Sequence, residues 1–132
     1  MTIIHDNSAT IAPGTDIDFP QDGPNITNSI TRNSSSSFSL IDVGTYLVIF
    51  QVSITEARQL VLTVNDEELL YTIVGRATGT SQIFGVSILS TTVVTSILTV
   101  RNPASETAAL TITPSADGTE PVSAHIIIIQ MQ

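Results

Sequence analysis

The side chains in this chain that could do chemistry are few and scattered. Its two histidines, His5 and His125, stand at opposite ends in strand-like contexts. A catalytic base needs a nucleophile and an orienting carboxylate placed beside it, and no motif near either imidazole supplies them. A structural role is the expectation for both. Asp16, Asp18 and Asp22 are the carboxylates best spaced to gather around calcium. Calcium takes roughly six to eight oxygens, however, and the spacing is not that of an EF-hand loop. Asp16 and Asp18 fall on one strand face and Asp22 lies in a turn, so a solvated acidic loop is expected instead. The glycine-rich stretch Gly75-Arg76-Ala77-Thr78-Gly79-Thr80 lacks the lysine and the helix start of a phosphate loop and reads as a connection between strands. Asn25-Ile26-Thr27 and Asn33-Ser34-Ser35 match the N-glycosylation pattern, a frequent chance match. With no cysteine there is no thiolate nucleophile, thiolate metal site or disulfide framework. No catalytic, cofactor-binding or metal-binding residue is assigned, and the chain is expected not to be an enzyme.

The elements that would have to position any site are strands. The 132 residues suit a single domain with its own core. Only 12% are charged, about half the usual share, while 42% are hydrophobic. So few charges leave Ser, Thr and Asn to solvate the surface, or leave part of the surface to be covered by partners. The net charge of −8, with four arginines and no lysine, argues against nucleic acid and against anionic membranes. Arg32, Arg58, Arg76 and Arg101 are dispersed, which reads as separate ion pairs. Met1 to Asp6 carries no basic region or apolar stretch of a signal peptide, and no segment approaches a membrane span of about 20 apolar residues. A soluble chain is expected, reaching any surface by another route than cleaved secretion.

Short runs of Val, Ile, Thr and Phe alternate with Gly, Pro, Asn and Asp, and no stretch shows a helical period. The pattern predicts strands over 2–5, 16–19, 26–32, 37–41, 45–54, 59–64, 69–74, 82–89, 96–101, 109–113 and 123–131. About that many antiparallel strands make a jelly-roll β-sandwich spanning residues 1–132, with 1–14 as a first strand or an N-terminal connector.

Two segments say more than the rest. In Tyr46-Leu47-Val48-Ile49-Phe50-Gln51-Val52-Ser53-Ile54 the even positions are all apolar, the mark of a core face. The odd face opens with Leu47 and Ile49, then turns polar. It is too apolar for water and too mixed for a core, which suits a subunit interface. In His125-Ile126-Ile127-Ile128-Ile129-Gln130-Met131, four consecutive isoleucines put apolar side chains on both faces, so both are expected to be buried. An edge strand of this kind exposed on a monomer would be an aggregation hazard, which burial in a symmetric oligomer removes. Burial under a loop of the same chain is the alternative.

Gly44-Thr45-Tyr46-Leu47-Val48 with Phe50, and Val64-Asn65 at a hairpin, resemble the core of TNF-like and complement-globular-head-like trimeric jelly rolls. The stretches Gly75 to Ile83, Leu98-Thr99-Val100-Arg101-Asn102-Pro103-Ala104 and Pro121-Val122-Ser123-Ala124-His125 resemble the C-terminal domain of bacterial collagen-like spore-surface (exosporium) glycoproteins. The resemblance covers roughly residues 9–132. It implies a compact homotrimer capping a collagen-like stalk at the spore surface, with the trimer interface on Leu47 and Ile49, Phe84 and Ile88, and Ile127 and Ile129. Parity alone points to the first and last of these pairs. No Gly-X-Y repeat precedes the domain here, so the chain is expected to be either an excised domain or a stand-alone subunit that polymerises without a collagen stalk. In that case a short strand of Ile3, Ile4 and Ile11 could add to a sheet edge of the next trimer.

The leading expectation is therefore a structural, non-catalytic trimerisation domain of a bacterial spore or cell-surface assembly, needing no cofactor. The alternative is a recognition module binding a glycan or a host protein through trimer loops.

Overall fold

The alternating run around Phe50 forms the spine of the fold. A computed structural model describes residues 10–19, 21–25, 28–76, 81–112 and 124–132. Its strands, in chain order, are β1 (Thr10–Ile11), β2 (Ile30–Ser34), β3 (Ser37–Leu40), β4 (Thr45–Ile54), β5 (Arg58–Val64), β6 (Glu67–Glu68), β7 (Val74–Arg76), β8 (Ser81–Ser90), β9 (Ser96–Arg101), β10 (Leu110–Thr111) and β11 (Ala124–Gln130). All the pairings are antiparallel. One sheet runs β11-β4-β8, the other β2-β3-β9-β5-β6, with β7 on β5 as well; β1 pairs with β10. The chain crosses from sheet to sheet at β3–β4, β4–β5, β7–β8 and β8–β9. Those crossings make an all-β sandwich of the jelly-roll kind.

The core lies between the two sheets. From β4, Tyr46, Val48, Phe50, Val52 and Ile54 are each at most 1% exposed and pack against Leu60 and Leu62 of β5, Leu98 and Val100 of β9, and Leu40 of β3. Burying Tyr46 leaves its hydroxyl to be satisfied, and it donates to the Asp42 carbonyl at 2.6 Å. The Phe50 ring occupies the space in front of Gly85, its register partner on β8, where any Cβ would collide with the ring. The buried residues of β8 on this face, Ile83 and Leu89, flank that gap.

Polar ties close the ends. Asn102, fully buried, donates from Nδ2 to the Ile11 carbonyl at 2.9 Å, while its own N–H reaches the Thr15 carbonyl at 3.0 Å. The Thr111 N–H donates to Glu56 Oε1 at 2.6 Å, pinning the β4–β5 turn to β10. The β5–β6 hairpin turns on Asn65 (φ 52°) and Asp66 (φ 67°), both left-handed as a two-residue primed turn requires.

Several expected elements take another form. Of residues 69–74, only Val74 is in a strand, as the start of β7. Leu70–Thr72 is a 3₁₀ turn, and the Thr72 hydroxyl accepts from the Leu62 N–H at 2.9 Å. A side chain thus fills the place of a backbone acceptor on the β5 edge, and the ladder breaks there without leaving that N–H orphaned. Residues 16–19 form only an isolated bridge, Asp16 to Arg101. The segment takes up the β9 edge beyond the end of β3, with the Ile17 N–H donating to the Val100 carbonyl at 2.8 Å. It then diverges, and the Phe19 N–H donates to the Ser35 carbonyl at 2.8 Å. The strand expected over 26–32 is observed as Ile30–Ser34, running into a hairpin with Ser37–Leu40. The strand expected over 2–5 lies outside the described residues.

Replacing Gly85 by Val should cost about 2 kcal/mol or more, because the Phe50 ring has nowhere to move in a filled core. A lowered urea midpoint at unchanged slope would show it; an unchanged midpoint would mean that the ring is not confined.

Candidate interaction face

The outer face of the β11-β4-β8 sheet is the feature of this fold that calls for an explanation. Register places its side chains in rows across the three strands. Ile129, Leu47 and Ile88 form one row, and Ile127, Ile49 and Val86 the next. His125, Gln51 and Phe84 form a third. Partners within a row stand about 5 Å apart at Cβ, so the first two rows merge into one apolar belt. Ile127 is 55% exposed, Ile129 48%, and Phe84, Val86 and Ile88 54% each. Leu47 and Ile49, flanked on both sides, are half-buried. At one end the belt stops at Thr45 and Ser90, whose hydroxyls lie 3.4 Å apart. At the other it gives way to Gln51 and His125.

All the residues expected at an interface, Leu47, Ile49, Phe84, Ile88, Ile127 and Ile129, are therefore brought together on one face. Val86 belongs with them and was missed, although its period-2 place between Phe84 and Ile88 carried the signal. Met131 continues the β11 parity to the end of the sandwich. There Val43, Val93 and Val94 are also at least half exposed, on the β3–β4 and β8–β9 loops.

The isoleucines of β11 divide by parity. Ile126 and Ile128 pack against the core cluster, while Ile127 and Ile129 face outward. Among the described residues no segment of the chain covers the outward pair, which stands half-exposed. Contiguous exposed apolar surface of this sort is uncommon on a monomeric domain.

The β11 strand pairs only with β4 among the described residues. Its other edge lines a groove of about 380 Å³ together with residues 21–25, 30–32 and 38. Across the groove mouth Arg32 Nε meets Asp22 Oδ1 at 2.7 Å, and the Arg32 guanidinium sits 5.0 Å from the Phe38 ring centre.

The carboxylates considered for calcium are otherwise engaged. Asp16 is held by Arg101 Nε at 2.7 Å, Asp22 by Arg32, and Asp18 accepts from the Ser35 hydroxyl at 3.0 Å. The Arg101 Nη2 also meets Asp66 Oδ1 at 2.9 Å, so one guanidinium joins the N-terminal segment to the β5–β6 turn. Arg58 donates to the Ala57 and Ala109 carbonyls at 2.7 and 3.2 Å. Of the glycine-rich stretch, Gly75 and Arg76 belong to β7, and a Cβ at Gly75 would come within 2.9 Å of the Arg58 carbonyl oxygen. Residues 77–80 and His5 lie outside the described residues. Ile11, named for a connector, is buried in its own chain's core; Ile3 and Ile4 also fall outside.

Neither a protein-family model nor a curated protein matches this sequence.

Adjacent isoleucines give a direct check on the facing. Ile128→Asp places a carboxylate against the core and should abolish the fold, whereas Ile127→Asp should leave a soluble protomer with its β-sheet circular dichroism. If both variants stay folded, or if Ile127→Asp alone unfolds, the assignment of faces fails.

Proposed function

We propose that this chain is a structural, non-catalytic module that assembles as a homotrimer through the outer face of the β11-β4-β8 sheet. The observation carrying this reading is the belt of Leu47, Ile49, Val86, Ile88, Ile127 and Ile129, outward-facing, contiguous and without charge. Burying it removes apolar area from water at about 25 cal/mol per Å². Copies that each carry a net charge of −8 repel one another, and a face without carboxylates is where they can approach at least cost. Threefold closure, and a place in a collagen-like filament head or stacked fibre on a bacterial spore or cell surface, rest on the resemblance to exosporium glycoprotein C-terminal domains.

A second reading has its own support in the groove beside the outer edge of β11. Its 380 Å³ lies within the range of small-ligand sites, and that edge, which pairs with no other strand among the described residues, suits an extended peptide. On this reading the domain recognises a glycan or host protein. Saturable binding on a glycan or peptide array would favour it.

Light scattering coupled to size exclusion decides the first reading. The expected mass is three times the 14.0 kDa protomer, persisting from micromolar to nanomolar concentration. Ile49→Asp should shift it to a folded monomer, since the new carboxylate would be buried without a partner. A wild-type monomer at every concentration would end the proposal.

A further inference from the structure

Where Thr72 breaks the ladder on β5, the chain pushes an apolar turn out of the sandwich. The Leu62 N–H donates to the Thr72 hydroxyl at 2.9 Å, and that hydroxyl donates to the Leu69 carbonyl at 2.7 Å. Leu69 packs against the core cluster and roots the turn. The next two residues, Leu70 and Tyr71, are 69% and 68% exposed. Two large side chains on a turn held this firmly form an ordered protrusion, which loses little freedom on meeting a partner. The turn lies against β5 and β8. The groove of about 380 Å³ lies beyond β11, and β8 and β11 border their sheet on opposite sides. Protrusion and groove thus occupy opposite flanks of the protomer. Ile30, Phe38, Ile126 and Ile128 line the groove, and Ile127 and Ile129 carry it into the apolar belt. Its Asp22 and Arg32 pair with each other at 2.7 Å.

We infer that Leu70 and Tyr71 of one copy seat in the groove beside β11 of the next, closing the trimer head to tail; the inference rests on the proposed trimer. A threefold axis gives each copy two neighbours, and away from the axis it must offer each of them a different surface. One outward face does not meet that need. Among the described residues, two groups of large apolar side chains are exposed off that face and its continuation at Met131. Val43, Val93 and Val94 stand on loops at one end of the sandwich, whereas Leu70 and Tyr71 stand on a flank, where a neighbour about the axis reaches. The opposite flank supplies a concave, largely apolar counterpart that runs into the belt. A volume of that size takes a drug-sized molecule, and two adjacent side chains fit within it. Tyrosine is a common anchor at such contacts, bringing large area at small cost in freedom.

The test joins cross-linking to sedimentation equilibrium, both on the full chain. Because the chain holds no cysteine, Thr31→Cys at the groove and Tyr71→Cys at the turn introduce the sole thiols. With a short bismaleimide, the variant carrying both should give covalent dimers and trimers on a denaturing gel, while each single variant stays monomeric there. Leu70→Ser combined with Tyr71→Ser should keep the wild-type circular dichroism, since both side chains are exposed in the protomer. Its midpoint concentration for dissociation should rise about tenfold or more. Three results would each overturn the inference and leave the trimer standing: a double-cysteine variant that stays monomeric on the gel, a single variant that cross-links as well as the double, or a serine variant as tight as wild type. Saturable binding of a peptide or glycan in the groove, with no loosening of the trimer, would overturn it too. Should the serine variant fail to fold, the cross-linking outcomes decide. A wild-type monomer would instead remove the assembly itself, and the inference with it.

Discussion

Period-2 alternation along the central strand, β4, is the constraint from which the rest of this molecule follows. A strand in the middle of a sheet has two faces and no free edge, so each of its side chains must be either inside the sandwich or on its outer surface. The even positions from Tyr46 to Ile54 fill the core, and that commits β8 and β11 to the same register, with Gly85 across from Phe50 and Ile126 beside it. Once that register is set, the outward composition is no longer adjustable. A one-residue slip would carry Leu47 and Ile49 inside and put Tyr46, Val48 and Phe50 into water. The apolar belt is thus a property of the same ladder that builds the core.

Much of this was legible in the residues. The bounds of β4 and β9 were readable because each is a regular alternation ended by turn residues, Gly44 before the first and Asn102-Pro103 after the second. Leu69 to Val74 was not readable. The break depends on the Thr72 hydroxyl finding the Leu62 N–H, a contact between β5 and a turn that follows it. No local propensity encodes that. Residues 16–19 failed for a related reason: how far they pair is decided by where β3 stops on the edge of β9. For the candidate face, parity found the β4 and β11 positions. It does not by itself distinguish burial within one chain from burial between chains, because both place Ile127 and Ile129 on the same outward face.

Polar residues do a different job from the core. Arg101 reaches Asp16 from one side and Asp66 from the other, and Asn102 beside it holds Ile11 and Thr15. These neighbouring residues at the end of β9 gather segments far apart in sequence. A hydrophobic core specifies volume more than direction, whereas hydrogen bonds to named carbonyls and carboxylates fix which loop lies where. Arg101 and Asn102 thus position segments that the core alone only packs.

Gly85 and Phe50 share a single volume divided between two chain positions. Neither residue is free to vary on its own account: enlarging position 85 is tolerable only after position 50 has become smaller, and a smaller position 50 first leaves a void. Either route to a side chain at 85, through an overfilled or a cavity-bearing intermediate, passes through a less stable protein. The two positions are therefore coupled and are expected to change together.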